Sequence, residues 1–304
     1  MSFQVRATWL GPPFPSQQVR YGPQRRSGMI RTFTVGFEVA DIMGAIYGDG
    51  ITSLPKAFSV AFADELREDI ETLFAEASGV ERGMLPRGPE RWYVEVQPER
   101  IRGFVEIATH PWFIAVCEAV LGTDYRIVEI GFDIPFPGAA DQPWHRDFAV
   151  PDATRVERRL NSLAFNLTAV DTRPDMGPFE IAPGTQWDEF EGCERGMFPP
   201  QPLWPRYAAK ARSALPQRGD ISARSALTIH RGTANRSTAA RPVLVVGVDA
   251  PDAINSAHHD LQATPAYLAQ LPPGFQEHLT CRVVDQLTPV IQHHVIDGLL
   301  IPAY

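Results

Sequence analysis

Cysteine is scarce in this chain. Three residues among 304 (Cys117, Cys193 and Cys281) stand far apart, with no C-x-x-C pair. That excludes a disulfide framework and a thiolate zinc site, and it fits a reducing compartment. Long apolar runs are missing too. None approaches the roughly 18–20 residues of a membrane span, so no membrane partner is expected. Positive charge is in deficit, with 28 Lys and Arg against 36 Asp and Glu and a net charge of −8. A nucleic-acid partner, which needs a basic stripe, is therefore not expected. The opening residues break early at Gly11-Pro12-Pro13 and offer no signal-peptide core, so a cytoplasmic location is expected. No repeat or low-complexity tract is visible. Turn formers are plentiful instead, with 28 Pro and 23 Gly.

The pattern of apolar residues predicts one catalytic domain over 1–304, long enough to bury a substantial core. Residues 1–45 mix Pro, Gly and Arg and read as an irregular extension, and 46–122 read as helical support. Within that support, Leu66, Ile70, Leu73 and Phe74 recur at helix spacing over 59–78. His110-Pro111 opens a second helix that Gly122 can stop. After Gly122 the period changes to alternation. Strands are predicted at 125–134, 160–170, 178–182, 219–230 and 241–250. The expected fold is mainly β with flanking helices, an antiparallel sandwich or jelly roll over 123–250. The aromatic segment 188–218 reads as a lid-like insertion, and 251–304 as a helical and irregular tail.

The chemistry concentrates in Trp144-His145-Arg146-Asp147-Phe148. On extended backbone, residues two apart point the same way, so His145 and Asp147 can present an imidazole and a carboxylate to one point. One further imidazole would complete the facial triad of a non-haem iron(II) oxygenase, with three coordination positions left open. A lone H-x-D is common, and a surface His beside a solvated Asp is its plainer reading. The second segment, Leu227-Thr228-Ile229-His230-Arg231-Gly232, supplies the imidazole at the end of a predicted strand. After Asn235-Arg236-Ser237, Arg241 begins the next strand; its planar guanidinium suits a carboxylate. Arg146 should point away from the metal, either as a fold-stabilising ion pair or as a rim group. Phe132, Phe136, Phe148 and Trp187 are core or pocket lining. His258-His259 and His293-His294 lack spaced acidic partners and read as solvated.

These segments resemble the phytanoyl-CoA dioxygenase family of Fe(II)/2-oxoglutarate oxygenases. Tryptophan precedes the H-x-D, and Met176-Gly177-Pro178-Phe179 runs on to Pro183-Gly184-Thr185-Gln186. Gly219-Asp220, His230, Asn235-Arg236-Ser237 and Arg241 then follow in the family's order, and Asp49-Gly50-Ile51 resembles its opening. The likeness spans roughly residues 46–250. It implies a double-stranded β-helix (jelly-roll, cupin-like) core, iron held by His145, Asp147 and His230, and 2-oxoglutarate paired with Arg241. O₂ would be the third participant, a small-molecule metabolite the substrate, and succinate and CO₂ the coproducts. Gly232 stands where relatives often carry a hydroxyl residue for the cosubstrate. Asn166 and Thr168, on the polar face of their strand, are candidates to supply that contact. Two rivals stay open: a cupin-like metal enzyme that does not use 2-oxoglutarate, and a catalytically silent binding relative. A hydrolase is disfavoured by the absence of a G-x-S-x-G elbow.

Overall fold

Alternation in the chain's second half produces its largest element. In the computed structural model, which describes residues 37–191, 196–253, 258–291 and 296–300, a seven-stranded antiparallel sheet runs in the order β1-β8-β5-β10-β4-β3-β2. Its strands are β1 (Ile51–Leu54), β2 (Leu85–Pro86), β3 (Arg91–Glu95), β4 (Arg126–Pro135), β5 (Ser162–Thr168), β8 (Ile221–Ser225) and β10 (Val243–Asp249). A smaller sheet, ordered β7-β6-β9, joins β6 (Phe179–Ile181) to β7 (Arg212–Ala214) and β9 (His230–Gly232). Cys193 and His293-His294 lie outside the described residues.

The two faces of the large sheet differ as the period of two requires. On β10, Leu244, Val246 and Val248 are fully buried in the main core. Helices α1 (Val39–Gly48), α2 (Val60–Ser78) and α3 (Pro111–Leu121) pack into that core through Ile46, Leu66, Ile70, Phe113 and Val116. The opposite face is the functional one. Register puts Arg224, Ala164, Gly247 and Glu129 side by side across β8, β5, β10 and β4. Small residues in the middle of that row leave space above the sheet.

The elements begin where their residues dictate. Ser59 caps α2 by accepting the Phe62 N–H at 3.0 Å, and Pro111 occupies the first turn of α3. Several expectations need correction. The end of the stretch read as irregular is helix α1. The support region 46–122 also contributes strands β1 to β3; β2 pairs with β3, while β1 and β3 also reach distant partners, β8 and β4. The single strand expected over 219–230 is two, β8 and β9, in different sheets. Part of 188–218 is integral to the fold rather than a lid: β7 pairs with β6. Short helical pieces occur in the tail, including Pro265–Leu268.

Candidate metal centre between the sheets

His145 sits in no long strand. It makes an isolated bridge to His230, with the amide of each donating to the carbonyl of the other at 3.0 and 2.8 Å. The Asp147 amide donates to Ala226 two residues further on. The H-x-D segment is thus pinned along the β8–β9 connection, and ligating atoms of His145, Asp147 and His230 lie within 4.8 Å of one another. Each imidazole has its Nδ1 beside a backbone carbonyl, Pro143 at 2.8 Å and Thr228 at 2.9 Å. Those contacts place the proton on Nδ1 and leave Nε2 as a lone-pair donor. Burial holds both imidazoles neutral: it pushes His145 down to about 4, and His230 well below the usual range, with Arg224 adding to the effect. Burial alone would raise the carboxyl of Asp147, but Arg224 and His230 outweigh it and hold it at about 2. The donor set therefore suits a divalent cation: two neutral imidazoles and one carboxylate.

A partner of Asp147 is one that sequence reasoning missed. Arg224 is buried and binds both carboxylate oxygens, at 2.6 and 3.2 Å. The Oδ1 atom of Asp147 also faces His230 Nε2 at 3.5 Å. The available signal was alternation, because Ser222 and Arg224 share the polar side of β8 and both line the cavity.

That cavity, about 150 Å³ in volume, has walls from both sheets. Arg241, Asn166 and Thr168 all line it. Arg241 is buried; its Nε donates to the Gly177 carbonyl at 3.0 Å. Burial, with Arg91 nearby, pulls it down to about 10, so it stays a cation near neutrality. The hydroxyl of Thr168 is turned to the Val170 carbonyl at 2.8 Å. The N-x-S turn orients this corner. Asn235 donates to Pro135 and Ala239 and accepts from Ser237.

Gly232 has a specific neighbour. A Cβ there would stand 2.5 Å from the guanidinium carbon of Arg91. Arg91 is held by Asp133 at 2.9 Å and by the Thr233 carbonyl at 2.9 Å. The volume that a hydroxyl side chain would need is filled by a cation from β3.

Arg146 forms neither of the contacts expected of it. It is buried, donates to the Asp188 carbonyl at 3.1 Å, and stacks on Phe190 at 3.9 Å. Trp144 packs against Tyr207 and Arg231. Phe132 is plain core, Phe136 packs on Phe74, and the Trp187 indole donates to Tyr47; of the four aromatics, only Phe148 lines a cavity near the triad. Gln186 ties the end of α1 through the Tyr47 carbonyl at 2.9 Å. His259 is not solvated; it stands between Glu95 and Glu129, at 3.2 and 3.8 Å.

A His–carboxylate–His set open to a cavity between two antiparallel sheets has the form of a mononuclear metal site with three protein ligands. The chain belongs to the phytanoyl-CoA dioxygenase (PhyH) family, whose model matches residues 47–243. No curated protein matches the sequence. Solved structures share the fold. One is SnoK, a non-heme α-ketoglutarate-dependent carbocyclase from nogalamycin biosynthesis, with TM-score 0.56 and 17% identity over 70% of this chain and 84% of that one. HygX from Streptomyces hygroscopicus, with nickel and 2-oxoglutarate bound, aligns at TM-score 0.54 and 13% identity over 73% and 90%. EctD from S. alaskensis, with 2-oxoglutarate and 5-hydroxyectoine, aligns at 0.57 and 15% over 72% and 78%.

Proposed function

We propose that the protein is a non-haem Fe(II)/2-oxoglutarate-dependent oxygenase that hydroxylates a small-molecule metabolite, with a double-stranded β-helix as its core. The observation that carries this reading is the convergence of His145, Asp147 and His230 beside a buried arginine in one cavity. Family membership, the nickel and 2-oxoglutarate bound in HygX and the 2-oxoglutarate bound in EctD support it. His145 and His230 would each ligate through Nε2, and Asp147 through Oδ1, while Arg224 keeps hold of Oδ2. Arg241 would pair with the distal carboxylate of 2-oxoglutarate, with Asn166 and Thr168 on the same wall. Bound together, iron, 2-oxoglutarate and O₂ supply the oxidising power for a C–H bond, with succinate and CO₂ as coproducts. The chain's own work is to orient these groups and to keep both imidazoles unprotonated. The carboxylate of Asp147 also fills the space that a halide would need, which favours oxygenation over halogenation.

Anaerobic addition of Fe(II) and then 2-oxoglutarate should produce a weak visible absorption band. His230→Ala should abolish it through loss of iron, and Arg241→Gln should raise the 2-oxoglutarate requirement by about tenfold or more, the worth of one charge-assisted contact. Iron binding that is indifferent to 2-oxoglutarate would favour the cupin-like alternative. Unchanged iron affinity in His230→Ala would refute the ligand assignment.

A further inference from the structure

A second cavity of about 490 Å³ adjoins the first, and both are bordered by His145, Asp147, Ala164, Glu129, Tyr93 and Arg87. Beyond these shared residues, the first cavity adds Arg91, Arg224 and Arg241 with one carboxylate, Asp133, whereas the second adds Glu95, Asp249 and Asp252 and no arginine. The order follows from register along one sheet face. On β10, Val243 and Val245 border the first cavity, whereas Gly247 and Asp249 border the second.

The acidic wall is built rather than incidental. Glu95 and Asp249 are buried to 6% and 2% exposure, and Glu95 already accepts from His259 and from the Asp260 amide. Gly247 interrupts a run of valines, and a Cβ there would meet Glu129 Oε2 at 2.7 Å. Its lack of a side chain is what lets Glu129 lie across the sheet. The Tyr93 hydroxyl donates to the other oxygen of Glu129. The basic groups on this side are His258, His259, which stands between Glu95 and Glu129 at 3.2 and 3.8 Å, and Arg87 at the border, stacked on the Tyr93 ring at 4.4 Å. An independent sign comes from Asn161. It is 4% exposed and lines the same cavity, yet its Oδ1 has no hydrogen-bond donor. A buried acceptor without a partner calls for a donor from a ligand.

We propose that the substrate is a metabolite carrying a protonated amino group, which sits in this second cavity with its ammonium toward Glu129, Asp249 and Asn161 and its reacting carbon toward His145 and Asp147. An ammonium offers three donors and a charge, which suit the acceptors Glu129, Asp249 and Asn161. The cavity volume lies in the range of small-molecule sites, which selects a metabolite over a peptide surface. The proposal rests on the oxygenase reading for the placement of the carbon, but not for the placement of the amine.

The test is calorimetric titration of the full chain, anaerobic with Fe(II) and 2-oxoglutarate, using matched probes. These are glucosamine against N-acetylglucosamine, 1,5-diaminopentane against 1,5-pentanediol, and cyclohexylamine against cyclohexanol. At least one amine should bind about tenfold or more tightly than its neutral partner. That preference should fall severalfold in Glu129→Gln and in Asp249→Asn. Asn161→Asp should increase it, a gain that misfolding cannot imitate. Equal binding of all partners, no binding by any amine, or weaker amine binding in Asn161→Asp would overturn the proposal. The absorption band is read separately. Its absence with the amine preference intact would sink the oxygenase reading alone, and its presence with no preference would sink this proposal alone.

Discussion

Asp147 shows how a single side chain serves two neighbours. Its carboxylate is shared between Arg224 and the imidazole side of the site, so its ionisation is fixed before any metal arrives. Arg91 and Gly232 make a second such couple, one residue's absence being the other's room. Gly232→Ser should therefore displace the Arg91 guanidinium instead of simply restoring a hydroxyl contact. Overpacking at a buried site costs about 1–3 kcal/mol, and the 2-oxoglutarate requirement should rise as well. Chemical denaturation and succinate assays measure the two effects. Gly232→Ser with unchanged stability would mean that Arg91 moves aside freely.

At the scale of elements, caps and registers set what the site inherits. Ser59→Ala should cost α2 about 1 kcal/mol through the lost cap, read as a lower denaturation midpoint with 2-oxoglutarate turnover unaltered. A change in turnover would show that α2 couples to the site. Much of this level was legible in the chain. The apolar stripe Leu66, Ile70 and Leu73 and the alternation over 162–168 marked a helix and a strand directly. The H-x-D and the later His230 could be read as a pair as well, although His145 lies in an isolated bridge and Asp147 in a bend rather than in a strand. What stayed hidden depends on distant pairing. Arg91, Tyr93 and Glu95 alternate on β3, but the full length of their strand is paired only with β4, some forty residues on. Read locally, RWYVE carries no sign of which side faces a cavity. The break between β8 and β9 was equally invisible, since it arises where one stretch of chain passes from one sheet to the other.

At the scale of the whole molecule, residues 259–264 are clamped to the strand and turn at 95–99. Glu95 accepts from His259 and from the Asp260 amide, Gln97 from the Gln262 amide, and Glu99 from Thr264. Burial alone would lower the imidazole of His259, but Glu129 and Glu95 outweigh it and raise it above 6.5. The sign follows by linkage. A raised native value contributes stability that is full below 6.5 and is lost as the pH rises through the native value. His259→Gln should flatten that part of the pH–stability curve, measured by denaturant titration from mildly acidic to mildly alkaline buffer. An unchanged slope would show that the clamp does not depend on the charged imidazole.

The mutual backbone bonds between His145 and His230 reach beyond geometry. Two ligands that belong to distant parts of the chain, 85 positions apart by their numbers, hold each other by their own main-chain atoms. There is accordingly no half-built version of this centre. Whatever loosens one imidazole releases the other, and metal retention becomes a report on whether this backbone bridge is closed.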